Sequence, residues 1–242
     1  MTREAYQLLE AHMLSCMGDS AHDKEHIYRV LYSALDIAQG EAGVDYDVLI
    51  AACLLHDIAR GEQFADPAVC HARRGAERAR TFLLDHGFGE DFARRVSDCI
   101  RTHRYRSEDP PASLEARILF DADKLDVTGA VGIARTFLYQ GHEGIPLYLL
   151  GPNGRVSGGT GDGQETFFRE YKFKLEGLYG RFLTRRGAEL ARERQEAAAA
   201  FYEALLREVS RPYETGPDLL AGRLGGCRGP VRRGGYYPPV PT

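Results

Sequence analysis

The sequence has no basic excess, no closely paired cysteines and no long apolar run, and each absence excludes a class of protein. Lys and Arg number 31 against 35 Asp and Glu, so a net charge of −4 offers no basic field to gather a nucleic-acid polymer. The five cysteines include no C-x-x-C pair, which favours free thiols in a reducing cytoplasm. No apolar stretch approaches the ~20 residues that span a bilayer, and the N-terminus has no signal-peptide core. We therefore expect a soluble, cytoplasmic protein that engages neither a membrane nor a nucleic-acid polymer.

The alternating pattern of β-strands is nearly absent too, and apolar residues recur with a helical period instead. In residues 24–39, for example, Ile27, Val30, Leu31 and Ala34 share one predicted helix face. The 43 % hydrophobic content is enough for a real core. We predict an all-α fold, with loops at residues 61–66 and 104–113. The predicted helices cover residues 5–17, 24–39, 46–59, 71–86, 92–102, 114–139, 165–179 and 188–209.

Composition divides the chain into four parts. Residues 1–150 form the predicted main helical domain. A glycine-rich stretch without periodicity, residues 151–163, is predicted to be a flexible loop. Residues 164–211 are predicted to be C-terminal helices packed on the main domain. Residues 212–242 are rich in Gly, Pro and Arg, which predicts a disordered tail.

One polar pair stands at the end of the most apolar predicted helix. His56 and Asp57 directly follow the run V-L-I-A-A-C-L-L at residues 48–55. Burying an ionised carboxylate beside an imidazole is costly unless a partner compensates the charge. A bound cation would turn that cost into a gain, so the pair is a candidate metal site.

Three other segments carry side chains that could complete such a site: His26, His103, and the acids Asp121 and Asp123. Three acids at residues 121, 123 and 126 would repel one another without a cation nearby. Imidazole and carboxylate donors together suit Mn²⁺, Fe²⁺, Ni²⁺, Zn²⁺ or Mg²⁺. Structural zinc sites use cysteine, and none lies at a suitable spacing here. A His/Asp set leaves coordination positions open to water, which favours catalysis.

The candidate residues lie within five motifs of the sequence. These are H-D-K-E-H-I-Y-R-V at 22–30, L-L-H-D-I-A-R at 54–60, C-H-A at 70–72, I-R-T-H-R at 100–104 and L-E-A-R-I-L-F-D-A-D-K-L-D-V-T-G-A-V-G-I-A-R at 114–135. With these motifs the sequence resembles the HD-domain superfamily of metal-dependent phosphohydrolases, most closely its small, single-domain bacterial branch. The resemblance covers residues from about 5 to 210.

The resemblance implies a metal ion and its ligands. The first ion would be held by His26, His56, Asp57 and Asp123. The A-D-K-L-D run is similar to the A-D-R-L-H stretch of the stringent-response hydrolases, whose aspartate binds the metal. That similarity favours Asp123 over the neighbouring acids.

Two further histidines and three basic residues have open roles. His71 and His103 match histidines that hold a second metal in some family members. The alternative, slightly favoured, is that they bind substrate phosphate or a bridging water. Lys124, Arg29 and Arg60 are candidates for phosphate binding, or they neutralise nearby acids (Asp23, Asp121 or Asp126).

The resemblance implies hydrolysis of a phosphoester or phosphoanhydride. Some members of the branch hydrolyse nucleoside triphosphates to the monophosphate, so we expect a nucleotide substrate, either for pyrophosphohydrolysis of a triphosphate or for phosphohydrolysis. Asp57 or a nearby histidine would orient or deprotonate the attacking water. Arg60 stands where some HD phosphatases have glutamate, and the Gly-Tyr-Pro motif of the cyclic-dinucleotide phosphodiesterases is absent. Three rivals are a di-iron HD oxygenase, a module that senses a nucleotide without hydrolysing it, and a helical scaffold with structural histidines. A homo-oligomer is compatible with the sequence.

Overall fold

A computed structural model describes residues 1–17, 24–104 and 109–224 of the chain, and these ranges are mostly helical. The helices are α1 (Arg3–Cys16), α2 (Lys24–Ala38), α3 (Tyr46–Leu55), α4 (Arg60–Ala65), α5 (His71–Asp85), α6 (Glu90–Thr102), α7 (Leu114–Leu125), α8 (Gly129–His142), α9 (Phe167–Glu170) and α10 (Arg185–Arg223). A π-helical turn, Tyr171–Leu175, directly follows α9. Within the described ranges the β structure is limited to one isolated bridge between Leu150 and Val156. The all-α prediction is confirmed.

Helix α3 is the centre of the core. It begins where the Asp45 carboxylate accepts hydrogen bonds from the backbone N–H groups of Asp47 and Val48, the usual N-cap arrangement. Helices α1, α2, α6 and α7 all pack against it, and most of its side chains are buried. Burial of a leucine such as Leu54 or Leu55 stabilises the fold by roughly 1.5–3 kcal/mol. Its carboxyl end is therefore held firmly in the middle of the molecule.

The predicted helix over 46–59 is too long, because α3 ends at Leu55. His56 and Asp57 lie in the tight turn that follows, where the Arg60 N–H donates to the Asp57 carbonyl. The His56 imidazole Nδ1 lies 2.8 Å from the carbonyl of Cys53, which a continuing helix would use for the Asp57 N–H. Because the imidazole takes this carbonyl, the helix ends at Leu55. The turn that follows directs the side chains of His56 and Asp57 toward the same part of the molecule.

The loop predicted at residues 61–66 is wrong, since Arg60–Ala65 forms the short helix α4. Gly61 suggested a break, but tertiary contacts outweigh its low propensity. The Glu62 carboxylate pairs with Arg74 and Arg78 of α5, at 2.9 and 2.7 Å. These ion pairs tie α4 to α5.

The single helix predicted over 114–139 is two helices, α7 and α8, separated at residues 126–128. Gly129 has φ +62°, a left-handed conformation that glycine adopts without steric cost. At Gly132 an added Cβ would lie 2.3 Å from the Val127 carbonyl carbon. The two glycines permit a sharp break that apolar periodicity alone does not reveal.

The C-terminal elements also differ from their predictions. The helix predicted over 165–179 is the short α9 followed by the π-helical turn, and α10 continues past residue 209 to Arg223. Residues 212–223 therefore belong to a helix rather than to the predicted disordered tail, although Pro212 and Pro217 lie within it. The Tyr213 hydroxyl lies 3.1 Å from that of Tyr148, which joins this part of α10 to the segment after α8. Residues 225–242 lie outside the described part of the chain.

Helix α10 packs against α8, α7 and α2, so the C-terminal segment covers the outer side of these three helices.

No helix in the described part of the chain combines the length and apolarity needed to cross a bilayer.

Candidate metal centre

Four imidazoles and two carboxylates meet beside the turn that follows α3. Five of the six side chains are no more than 5 % exposed, and the side chain of Asp123 is 19 % exposed. The six residues are His26 in the first turn of α2, His56 and Asp57 after α3, His71 at the start of α5, His103 after α6, and Asp123 in α7. The four ligands implied by the family resemblance, together with His71 and His103, are brought to this place, whereas the candidate Asp121 is not.

The backbone orients two of the imidazoles. His56 Nδ1 donates to the Cys53 carbonyl at 2.8 Å, and His103 Nδ1 donates to the Ile100 carbonyl at 2.6 Å. In its neutral form each ring therefore carries its hydrogen on Nδ1 and its lone pair on Nε2. Both Nε2 atoms point into the cluster, which is the tautomer that a metal ligand requires.

The other two imidazoles are oriented by side chains. His26 Nδ1 donates to Asp126 Oδ2 at 2.8 Å, and His71 Nδ1 donates to Gln63 Oε1 at 2.6 Å. All four rings thus use Nδ1 for an outer hydrogen bond and direct Nε2 inward. Such outer bonds are typical of metal-binding histidines.

The first group of donor atoms has the dimensions of a metal cage. His26 Nε2 lies 3.4 Å from His56 Nε2 and 3.6 Å from both Asp57 Oδ2 and Asp123 Oδ1. His56 Nε2 lies 4.0 Å from each of the same two oxygens. Donors about 2.1 Å from a tetrahedral ion are about 3.4 Å apart, so this group needs little movement to hold one.

The other carboxylate oxygen of Asp57, Oδ1, faces a second group of donor atoms. Asp57 Oδ1 lies 3.6 Å from His71 Nε2 and 3.8 Å from His103 Nε2. This oxygen is buried without a hydrogen-bond partner among the described residues. A buried carboxylate oxygen is costly to leave unpaired. The donor set and the orphaned oxygen both fit a bound divalent cation.

Electrostatics prepare the two carboxylates for a cation. Burial alone would raise the pKa of Asp57, but the histidines and Arg60 hold it well below its usual range. Burial likewise opposes ionisation of Asp123, and Lys124 with the nearby imidazoles lowers its pKa. Both groups are therefore ionised at neutral pH.

The imidazoles fall into two electrostatic classes. Burial lowers the pKa of His71 to about 3 and that of His103 to about 4, so both rings are neutral at pH 7. Burial also opposes the charged form of His26, but the carboxylates of Asp126 and Asp57 outweigh it and raise its pKa to about 9. In the metal-free protein a proton on His26 therefore occupies the place of the cation.

The three predicted phosphate-binding residues lie at the border of the cluster. Lys124 Nζ is 3.1 Å from Asp123 Oδ2 and 4.9 Å from the centre of the Phe120 ring. Arg60 lies against His71, with Nη1 2.9 Å from both ring nitrogens. Arg29 pairs with Asp126, one of the neutralising roles left open by the sequence.

Sequence reasoning missed the main role of Asp126. Its carboxylate accepts hydrogen bonds from Arg29 (2.6 Å) and Arg135 (2.6 Å) as well as from His26. The available signal was its position one helical turn after Asp123 on the same face. Asp126 therefore orients the candidate ligand His26.

The third acid of this helix has a structural role. Asp121 is fully buried and accepts hydrogen bonds from the backbone N–H groups of Leu183 and Thr184 and from the Thr184 hydroxyl. It anchors the start of α10 on α7, away from the metal ligands.

Known proteins share this fold and sequence pattern. Residues 24–128 match the sequence profile of the HD domain. The uncharacterized protein YpgQ of Bacillus subtilis is 30 % identical over 194 residues, which cover 78 % of this chain and 85 % of YpgQ.

Solved structures agree. The crystal structure of Bacillus subtilis YpgQ in complex with ADP matches with a TM-score of 0.66 and 28 % identity, covering 84 % of this chain and 97 % of that one. A predicted HD superfamily hydrolase from an uncultured Thermotogales bacterium matches with a TM-score of 0.56 and 31 % identity, covering 86 % and 92 %. Sequence and structure together show that this chain belongs to the HD-domain family.

Proposed function

We propose that this protein is a metal-dependent hydrolase of phosphoester or phosphoanhydride bonds and that its substrate is a nucleotide. The observation that carries the proposal is the ion-sized group of His26, His56 and Asp123, with Asp57 Oδ2 3.6 Å from His26 Nε2 and 4.0 Å from His56 Nε2. These four candidate ligands come from three separate segments of the chain. Asp57 supports it further, because its second oxygen is buried and unpaired beside two neutral imidazoles.

The four ligands would hold one divalent ion through nitrogen and oxygen donors, a set suited to Mn²⁺, Fe²⁺, Ni²⁺, Zn²⁺ or Mg²⁺. When bound, such an ion polarises a phosphate oxygen and lowers the pKa of water. Asp57 and Asp123 supply two negative charges, which balance the charge of one such ion. The imidazoles leave part of the coordination sphere open.

His103 is a candidate proton acceptor because, among the described residues, no arginine lies against its ring as Arg60 does against that of His71. Its pKa of about 4 keeps the ring neutral at pH 7, and its Nδ1 is committed to the Ile100 carbonyl. Its Nε2 lone pair faces Asp57 Oδ1 at 3.8 Å. A water held between Asp57 and His103 would be oriented by the carboxylate and would give its proton to the imidazole.

Positive side chains border the ligands and would bind the substrate's phosphates. Lys124 lies directly beside the proposed ligand Asp123, and Arg60 lies against His71. Charge-assisted hydrogen bonds from ammonium and guanidinium groups suit phosphate oxygens. Bacillus subtilis YpgQ has been crystallised in complex with ADP, which supports a nucleotide as the phosphorylated ligand here.

A screen of phosphorylated metabolites tests the proposal. The protein is stripped of metal, reloaded with each of the five ions in turn, and incubated with nucleoside mono-, di- and triphosphates and with sugar phosphates. Release of orthophosphate or pyrophosphate is measured separately, because the two products show which bond is cleaved. We expect turnover of a nucleotide. Nucleotide-dependent thermal stabilisation without any phosphate release would favour the sensing module instead.

A substitution links turnover to the cage. Asp57→Ala removes the carboxylate that the two donor groups share, so bound metal and hydrolytic activity should be lost together. Asp85→Ala is the matched control, since that carboxylate is exposed at the end of α5. A folded Asp57→Ala protein that keeps its metal and its activity would contradict the proposal.

A further inference from the structure

The side chain of Arg60 lies on the second donor group. Its Nη1 is 2.9 Å from both ring nitrogens of His71 and 3.4 Å from Gln63 Oε1. An atom equally close to both nitrogens lies over the face of the imidazole ring. Gln63 Oε1 accepts the Nδ1 hydrogen of His71 at 2.6 Å, so the one lone pair of the neutral ring is on Nε2, which faces Asp57 Oδ1 at 3.6 Å beside the guanidinium.

A second metal ion would need that same lone pair. The second group consists of Asp57, His71 and His103, and only one of these is a carboxylate. Asp57 also belongs to the first group through its other oxygen. A second dication would thus gain no carboxylate of its own and would lie close to a permanent positive charge.

The Arg60 guanidinium already supplies a cation at this position. One divalent ion is balanced by Asp57 and Asp123, and Arg60 and Lys124 then leave the border of the centre positively charged toward the substrate. A second ion would raise that excess further unless the arginine were displaced. The same residue stands four positions after His56, in the turn and helix that present Asp57.

We propose that Arg60 takes the place of a second metal ion: its guanidinium lies against the His71 ring, and its permanent positive charge beside the second donor group keeps the centre mononuclear. This inference rests on the proposed function only in requiring the first metal site. Arg60 then determines whether the centre holds one metal ion or two.

Metal stoichiometry tests the assignment without reference to activity. The metal-free full-length protein is titrated with Mn²⁺, and bound ion is measured by equilibrium dialysis and by electron paramagnetic resonance. We expect about one equivalent in the wild type and about two in Arg60→Gln. Two ions that share Asp57 would also be magnetically coupled, so the resonance spectrum would change from that of an isolated ion.

The control is Arg192→Gln, which makes the same charge change at an exposed position on α10 and should keep about one equivalent. Equal stoichiometry in the wild type and Arg60→Gln, whether one or two, would overturn the role of Arg60. Complete absence of bound Mn²⁺ from the wild type would overturn the metal centre itself and this assignment with it. Circular dichroism and thermal melting establish that Arg60→Gln is folded.

Discussion

Asp126 shows how much of the centre depends on a residue that is not a ligand. Burial alone would raise the pKa of its carboxyl group, but hydrogen bonds from His26 and Arg29 lower it to about 2. The resulting carboxylate fixes the His26 ring through Nδ1 and makes its Nε2 more basic. Two arginines hold the carboxylate in turn, so the orientation of His26 is set by a small network rather than by one bond.

Asp126→Asn should weaken Mn²⁺ binding by about 10–100-fold, the usual effect of losing an outer hydrogen-bond partner of a ligand. The amide is neutral, so it no longer raises the basicity of His26 or balances Arg29 and Arg135. Affinity is measured by titration of the metal-free protein. Asp98→Asn, an exposed carboxylate on α6 paired with Arg94, is the control. Equal affinities in the two variants would show that Asp126 does not support the ligand.

At this scale the sequence identifies the side chains that meet in the cluster better than it identifies the residues that support them. Helix geometry alone separates Asp121 from Asp123 by about 160° around the axis, which agrees with their different surroundings in the structure. The same geometry places Asp126 within about 60° of Asp123. Choosing between a ligand and its support then requires distances between separate helices, which periodicity does not contain.

The helix ends decide where the ligands point, and here the sequence predictions were least accurate. Apolar residues continue through residues 46–59 and 114–139, so the pattern favours unbroken helices. The actual breaks come from a side chain that takes a backbone carbonyl, at His56, and from close backbone contact, at Gly132. Both causes are specific contacts, and neither changes the average hydropathy of the segment.

Gly132 in α8 packs so closely against neighbouring backbone atoms that a larger residue should not fit there. An added methyl group would lie 2.3 Å from the carbonyl carbon and oxygen of Val127, which are backbone atoms that cannot rotate away. Gly132→Ala should therefore lower the free energy of unfolding by about 2 kcal/mol or more, the range of overpacked cores. Urea unfolding followed by circular dichroism measures the change.

Gly141→Ala provides the control within the same helix. An added Cβ at Gly141 has no atom within 4 Å, and alanine favours the helix over glycine. This variant should be neutral or stabilised by up to about 1 kcal/mol. If the two variants unfold at the same denaturant concentration, the close contact at Gly132 does not limit how α8 packs.

For the molecule as a whole, the buried imidazoles link stability to pH in opposite directions. His71 and His103 have folded-state pKa values of about 3 and 4, below that of an unfolded histidine near 6.5. Their contribution is present above pH 6.5 and is lost as the pH falls toward those values. The pKa of His26 is raised to about 9, so its contribution is present below pH 6.5 and is lost as the pH rises through 9. The metal-free protein should therefore be most stable near pH 6.5.

Metal binding should restore the stability that the metal-free protein loses as the pH rises toward 9. Below pH 9 an ion must displace the proton on His26, so each unit of falling pH weakens binding by about tenfold. Stabilisation by a ligand grows with its affinity at fixed concentration. The melting-temperature increase caused by Mn²⁺ should thus become larger from pH 6.5 to pH 8.5, measured by differential scanning fluorimetry at constant ionic strength.

The Asp126→Asn variant is the control, because it lacks the main carboxylate that raises the pKa of His26. The melting-temperature increase that Mn²⁺ causes in this variant should depend less on pH. A wild-type increase that stays flat or shrinks over this range would show that no proton on His26 competes with the metal.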